Sequence, residues 1–552
     1  MARWRFMEPD TDAVSALVGG TEMDELCARV LANRGVKPED ADSFLTPTLA
    51  AIKPPDEEPW KVAAKRIAKA IKNGERIGVF GDYDTDGITS ASVLYLALSH
   101  YTPNVTVGLP TRQTGYGLLE PYVRNMFAEG VDLLISCDCG ISNWREVEVG
   151  VELGMDVIIS DHHLPPEQIP DAATAVLDPK LWDMDDPLAG VGVAWKLAWA
   201  VARELDDPDA RKRLGRLLDL VALGTVVDIA PLRGDNRALA MMGLKRLNAT
   251  LDARQARPGL AALVQVAGVR GTLSEEDLGW KLGPRINSIG RIKNPRPALD
   301  LMLTEDRREA FRIASNLNQL NQDRQKRTQA AVARAMEEVD PTQDFKVVVT
   351  EEIGGLAGLV AGRVASAAGR PTAILGRRTD GSYGGSARAG ETDVDLYGAL
   401  YAAREYLDQW GGHRKAAGLS VVAGGFDSFV AKVNEAVRAQ VAVDPEVLEP
   451  AIEIDAELEF DALQNGFLDW HERLAPFGSG NHRPVFASSG LSVVSSREIW
   501  PGMNLLTLKG GMKAKLSCHS DAVPNGAFDA VFTVSRSRYS GEAELEIADW
   551  KR

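Results

Sequence analysis

The sequence predicts an α/β protein of several domains: a mostly parallel sheet clad in helices, a second α/β domain reached through a long helix, and a small C-terminal β-barrel. Three observations carry this. At 552 residues the chain is several domain lengths long. Between residues 76 and 178, short apolar runs rich in β-branched residues alternate with helix-length segments, the pattern of a parallel sheet covered on both faces. The last stretch instead carries strand patterns divided by Gly and Ser turns.

In chain order, residues 1–59 read as short helical patterns closing on "KPPDEEPW", which has the composition of a linker. Residues 60–250 hold the predicted strands "RIGVF", "NVTVGL", "VDLLISC", "MDVIIS" and "ATAVLD", then a buried helix, "LDLVALGTVVDIAPL". Residues 251–340 comprise a basic segment, "KLGPRINSIGRIKNPRP", and a polar helix from about Glu305 to Val339, long enough to connect domains. A second α/β domain over 341–443 begins at "FKVVVT", and the barrel occupies 444–552.

Composition excludes some classes. No run of about 18 uncharged apolar residues occurs, and "MARWRFMEPDTD" lacks the apolar stretch of a signal peptide, so a cytoplasmic protein without a membrane segment is expected. The four cysteines include a "CDC" pair too close for a zinc knuckle. A net charge of −16 argues against coating nucleic acid through the overall field, yet leaves room for a locally basic channel.

In open α/β sheets, ligands sit beyond the carboxyl ends of the strands. Here the first run ends in "GDYDTDG", the third in "CDCG" and the fourth in "SDHH", so three strand ends deliver carboxylate or imidazole to one sheet edge. Each alone has an ordinary reading: Asp86 before Gly87 can cap the following helix, and Asp82 can bond its own turn. Together with "VVDIAP" they form the hard-oxygen and imidazole set that suits a pair of Mn²⁺ or Mg²⁺ ions, and such pairs serve phosphoryl displacement.

"GDYDTDGITS", "CDCGISN", "SDHHLP" and "LDLVALGTVVDIAPL" resemble the first four motifs of the DHH phosphoesterase superfamily. "LAGVGVAWKL", "GPRINSIGRI", "LNQLNQDRQ", "GSAR", "GGHRKAAGL" and "LAPFGSGN" resemble its RecJ branch, the single-strand-specific 5′→3′ DNA exonucleases. The resemblance implies a DHH catalytic domain, a DHHA1-like substrate-binding domain and an OB-like barrel. It implies two divalent metal ions on Asp84, Asp86, Asp138, His162 and Asp228, with Asp138 bridging and Asp82 as a further candidate ligand. His163 would sit by the scissile phosphate and Asp161 would orient its neighbours. A 5′-phosphate pocket falls on Arg112, Ser386 and Arg388, and a substrate-contacting motif on Gly411, Gly412 and His413. Arg285, Asn287 and Arg291 would track the strand backbone and Tyr116 could stack on a base. Ile353 stands where the family usually has histidine, and His482 replaces a usual proline.

The activity implied is metal-dependent 5′→3′ hydrolysis of single-stranded DNA to 5′-mononucleotides, in recombination and repair. Implied partners are DNA with a free 5′ end, single-strand-binding protein and a helicase, for a monomeric enzyme. Two alternatives stand beside it: a DHH phosphodiesterase for short oligonucleotides or cyclic dinucleotides, and a non-catalytic replication scaffold of the same fold.

Overall fold

The computed structural model describes residues 2–552 except 21–22, 112–116, 185–187, 291–293, 351–353, 464–465, 519–522 and 538–539. The chain enters through β1 (Arg3–Phe6) and the helices Thr11–Gly20, Glu25–Asn33 and Ala41–Leu45. The first sheet holds β2 (Ile77–Gly81), β3 (Val105–Gly108), β4 (Leu133–Cys137), β5 (Asp156–Ser160) and β6 (Ala175–Leu177). All pairs are parallel, in the order β3-β2-β4-β5-β6. Helices Glu58–Asn73, Thr85–Leu98 and Gly190–Glu204 pack Trp60, Ile88 and Val191 on one face, and helices Glu120–Ala128 and Trp144–Glu152 pack Val123 and Val147 on the other. That double burial explains why these strands read as unbroken apolar runs. From β2 the chain steps to β3 on one side and returns to β4 on the other, so a crevice opens beyond the carboxyl ends of β2 and β4.

The long helix is Arg307–Glu337, 31 residues. It packs on helices Pro258–Val266 and Gly283–Gly290 at its start and reaches the helix Ala357–Ala368 of the second α/β domain. There β7 (Lys346–Thr350), β8 (Thr372–Arg377), β9 (Tyr383–Arg388), β10 (Leu407–His413) and β11 (Ala416–Val421) run in the order β10-β11-β9-β8-β7. After β12 (Ala451–Ile454) and β13 (Ala456–Glu457), the strands β14 (Val485–Trp500), β15 (Met503–Leu508), β16 (Lys513–Ser517), β17 (Ala527–Arg536) and β18 (Ala543–Lys551) close into a barrel through the β14–β17 pairing.

Two features differ from the sequence reading. "KPPDEEPW" is no linker at its end: a helix begins at Glu58 with proline in its first turn, and Trp60 is buried edge-on to Trp182. The N-terminal helices, moreover, are not a free-standing segment. Leu17, Val30, Leu31 and Leu45 share one core with Phe486, Phe528 and Phe532 of the barrel, and β1 pairs in parallel with β12. Among the contacts that join these units to the first α/β domain is Arg237, on the helix Gly234–Asp252. Fully buried, it donates to the carbonyls of Phe44, Arg473, Ala475 and Pro476, and lies 3.9 Å above the Phe44 ring.

Candidate metal centre and nucleic-acid face

Asp82 follows β2, and two residues on, Asp84 caps the helix Thr85–Leu98, accepting from the Gly87 amide at 3.1 Å. The chain therefore turns between the aspartates, and Asp86 lies in the first helical turn facing elsewhere. Its carboxylate is buried and accepts from the amides of Gly190 at 2.8 Å and Val191 at 2.9 Å, where the helix Gly190–Glu204 starts. Asp138, just past β4, adopts φ +59, a left-handed conformation that aspartate tolerates better than most residues. A Cβ on Gly190 would meet its Oδ1 at 2.7 Å, so glycine is what lets Asp138 in. Asp228 caps the helix Leu218–Val227.

These atoms form three overlapping groups, one of which is Asp138 with His162 and His163. Ligand atoms of Asp82, Asp84 and Asp138 lie within 4.8 Å of one another, as do those of Asp86, His162 and Asp228. They meet at His162 Nε2 and Asp138 Oδ1, 3.0 Å apart. His162 Nδ1 lies 3.1 Å from the Leu188 carbonyl, which assigns its proton to Nδ1 and leaves Nε2 bare. Burial, followed by the charge of His163, pushes His162 down to about 3, so it is neutral. Asp82 Oδ1, Asp138 Oδ1 and His162 Nε2 are thus buried without a hydrogen-bond partner.

The carboxylates tell the same story. Burial, aided by the Asp84 charge, raises Asp82 to about 8 and Asp86 to about 7. Asp228 rises to about 9 through burial and the charges of Asp86 and Asp84, and Asp138 rises well above its usual range from burial and the same two neighbours. Acids that resist ionising together, beside a neutral imidazole, fit a pair of hard divalent cations, which remove both penalties at once.

Asp161 behaves differently. Burial works to raise it, but hydrogen bonds from His163 Nδ1 at 2.7 Å and the Ile141 amide at 2.9 Å hold it below the usual carboxylate range. Burial likewise opposes charge on His163, yet that contact and the charges of Asp161, Asp228 and Asp84 raise it to about 9. His163 is 44% exposed in its side chain, against 12% for His162, so it is the histidine that faces the crevice.

The other expected residues divide. Asn287 accepts from the Thr85 amide and hydroxyl at 2.9 and 2.7 Å, bracing the aspartate turn. Arg285 is half-buried, donating to Asn318 and the Lys281 carbonyl. Ser386 and Arg388 alternate on β9, and their ladder partners through β11 are Gly411 and His413 of β10, so all four emerge on one sheet face. Burial lowers Arg388, and no described carboxylate pairs with it. Gly412, with φ +147, lies on the opposite face, where a Cβ would strike the Ala416 carbonyl at 2.3 Å. Arg112, Tyr116, Arg291 and Ile353 lie outside the described residues. The segment Leu188–Val191, which the sequence reading quoted within "LAGVGVAWKL" without a role, positions His162 and Asp86.

Comparison with known proteins gives three family matches: the DHH family N-terminal domain over residues 76–225, the DHHA1 domain over 344–439 and the RecJ OB domain over 454–548. Among curated relatives, single-stranded-DNA-specific exonuclease RecJ of Bacillus subtilis is 36% identical over 99% of this chain and 69% of its own length. RecJ of Escherichia coli is 33% identical over 84% of this chain and 83% of its own. The crystal structure of RecJ in complex with Mn²⁺ from Thermus thermophilus superposes with a TM-score of 0.84 at 28% identity, covering 100% of this chain and 79% of that one. Three domains in family order, matched over full length at this identity, make the chain a member of the RecJ family.

Proposed function

We propose that this protein is a metal-dependent exonuclease that degrades single-stranded DNA from the 5′ end to 5′-mononucleotides. The observation that carries it is the 3.0 Å approach of His162 Nε2 to Asp138 Oδ1, where overlapping groups of buried carboxylates and imidazole meet. The same fold in a relative is recorded with Mn²⁺ and, separately, with Mg²⁺. Asp82, Asp84 and Asp138 would hold one cation, and Asp86, His162 and Asp228 the other, with Asp138 shared. Two such cations supply a water activated as nucleophile and neutralise the charge that develops on the phosphodiester.

The protein's own groups do the rest. Leu188, Gly190 and Val191 fix the ring of His162 and the carboxylate of Asp86 before substrate arrives. Asp161 holds His163 protonated and oriented, so that its Nε2–H can donate to a phosphate oxygen or to the departing oxygen. Arg388 and Ser386 would grip the 5′-terminal phosphate, whose extra charge sets it apart from internal phosphates, while the open backbone at Gly411 admits the strand. Arg112, Arg291 and Tyr116 complete the proposed strand path by the family likeness, as do single-strand-binding protein and a helicase as partners, and monomeric action in the cytoplasm. No described helix is long and apolar enough to cross a membrane.

The test is digestion of 5′- and 3′-labelled single strands with Mn²⁺ and with EDTA. Stepwise loss from the 5′ end, in Mn²⁺ alone, is expected. Cleavage that persists in EDTA, or that attacks duplex equally well, contradicts the proposal.

A further inference from the structure

Trp280 is 80% exposed and Ile229 72% exposed. Single apolar residues on a surface are ordinary, but three observations set these two apart. The first is backbone. Ile229 has φ +61, a left-handed conformation that a β-branched residue adopts only at a cost. Trp280 sits on a π-helical turn, Asp277–Leu282, a rare geometry that recurs at functional sites. Leu278 and Leu282 bury the inner side of this turn, and Trp280 projects from its outer side.

The second is position. Ile229 directly follows Asp228, whose carboxylate lies 3.9 Å from His162 Nε2. The π turn is seated on the same helix end: a Cβ on Gly279 would stand 3.8 Å from the Val226 side chain, and one on Gly283 2.5 Å from that of Val227. The turn and the segment Val226–Ile229 therefore form one wall beside the metal centre. The third is charge. Arg285 follows Trp280 on this wall, in a segment free of acid from Lys281 through Arg296, which suits the backbone of a nucleic acid, while Lys281 itself pairs with Asp277 at 2.7 Å.

We propose that Trp280, with Ile229 beside it, is a stacking platform for one nucleobase of the single strand whose phosphate lies at the metal centre. The inference rests on the single-strand reading above. An indole face accepts any base. A base inside a duplex has both faces covered by its neighbours, so the platform also contributes to the choice of single strands. The strained Ile229 holds an apolar side chain where the strand must pass, in place of the polar residue a surface would ordinarily carry there.

The test uses the full chain and 5′-phosphorylated oligodeoxynucleotides, each with one abasic site at a successive position from the 5′ end. Dissociation constants come from fluorescence anisotropy in EDTA, and KM and kcat from cleavage in Mn²⁺. W280A is expected to weaken binding about tenfold, the scale of one base–aromatic stack, raising KM more than it lowers kcat, and W280F to restore most of the loss. Wild type should lose affinity sharply for an abasic site at one position, and W280A should suffer no further loss there. Unchanged binding by W280A, or losses that add at every position, overturns the platform while leaving the nuclease reading intact. Failure of wild type to bind or cleave single strands overturns both. Equal melting temperatures for wild type and W280A separate lost stacking from lost fold.

Discussion

Arg237 and the candidate metal centre both bury charge, and they do so in opposite ways. At Arg237 the guanidinium meets four backbone carbonyls and an aromatic face, and burial lowers it only to about 10, so it stays charged. At the metal centre the carboxylates face one another, and Asp138 Oδ1 and His162 Nε2 have no hydrogen-bond partner. The first arrangement is complete and joins three parts of the chain. The second is incomplete, and its deficit specifies the charge, number and hardness of what would complete it. A buried charge that is satisfied is architecture, while one that is starved is a binding site.

Asp138→Asn attacks the starved site. Asparagine tolerates the left-handed backbone, so geometry survives while one charge and the proposed bridge are lost. Cleavage of single strands should fall by at least on the order of 10²–10³, read from initial rates in Mn²⁺; near wild-type rates would mean that Asp138 bridges nothing. Arg237→Met attacks the satisfied site. Stranding four carbonyl oxygens should cost about 3 kcal/mol or more in urea unfolding, with activity per folded molecule retained. Equal stability of variant and wild type would show the staple to be idle.

Acid offers a third probe, at His471 in the core shared by the N-terminal helices and the barrel. Burial, then the charges of Arg483 and Arg34, push it down to about 3. The unfolded chain thus takes up a proton below about 6.5 that the native chain refuses. His471 contributes no loss above that pH. As pH falls from about 6.5 towards 3 it destabilises the fold progressively, by about 2 kcal/mol at pH 5. His471→Phe should flatten that limb of a plot of unfolding free energy against pH; parallel limbs would assign the acid sensitivity elsewhere. Arg388→Ala should cut the preference for 5′-phosphorylated over 5′-hydroxyl ends about tenfold, with a smaller effect on turnover at saturation. A preference that survives would move the end-binding pocket off β9. The smallest effect sharpens the comparison most. In EDTA, Asp138→Asn should raise the melting temperature by about 1–2 °C, because an amide N–H can donate to the bare His162 Nε2, whereas the loss of charge at Arg237 lowers it. Substitutions at the two buried sites would then move stability in opposite directions.

The grouping of the candidate metal centre was legible in the sequence because its parts are local: strand ends followed by turns bring Asp82, Asp84, Asp138 and His162 to one sheet edge, and a helix end adds Asp228. Even the separation of Asp84 from Asp86 follows from Gly87 and the helix after it. Asp82 reads from the sequence only as a further candidate, yet its carboxylate stands with Asp84 and Asp138. What stayed hidden depends on distant partners. "RWRF" becomes a strand only because β12 offers an edge, and nothing in "LCARVLAN" states that its apolar side meets a barrel. Asn287 belongs to a basic motif that suggests contact with phosphate, but Thr85 claims its carbonyl oxygen. Trp280 belongs to no motif, and exposure is a property only a fold confers.

The core that Leu17, Val30 and Leu31 share with Phe486 and Phe532 also has a consequence in time. A ribosome makes those helices several hundred residues before their partners, and at about 5–20 residues per second the wait is roughly 20–90 s. Throughout it the catalytic domain can fold while an apolar helix face stays uncovered in its company. Protease digestion of stalled nascent chains should find the helix Glu25–Asn33 cleavable until the barrel has emerged, and protected only afterwards. Synthesis of the barrel then fastens helices made several hundred residues earlier.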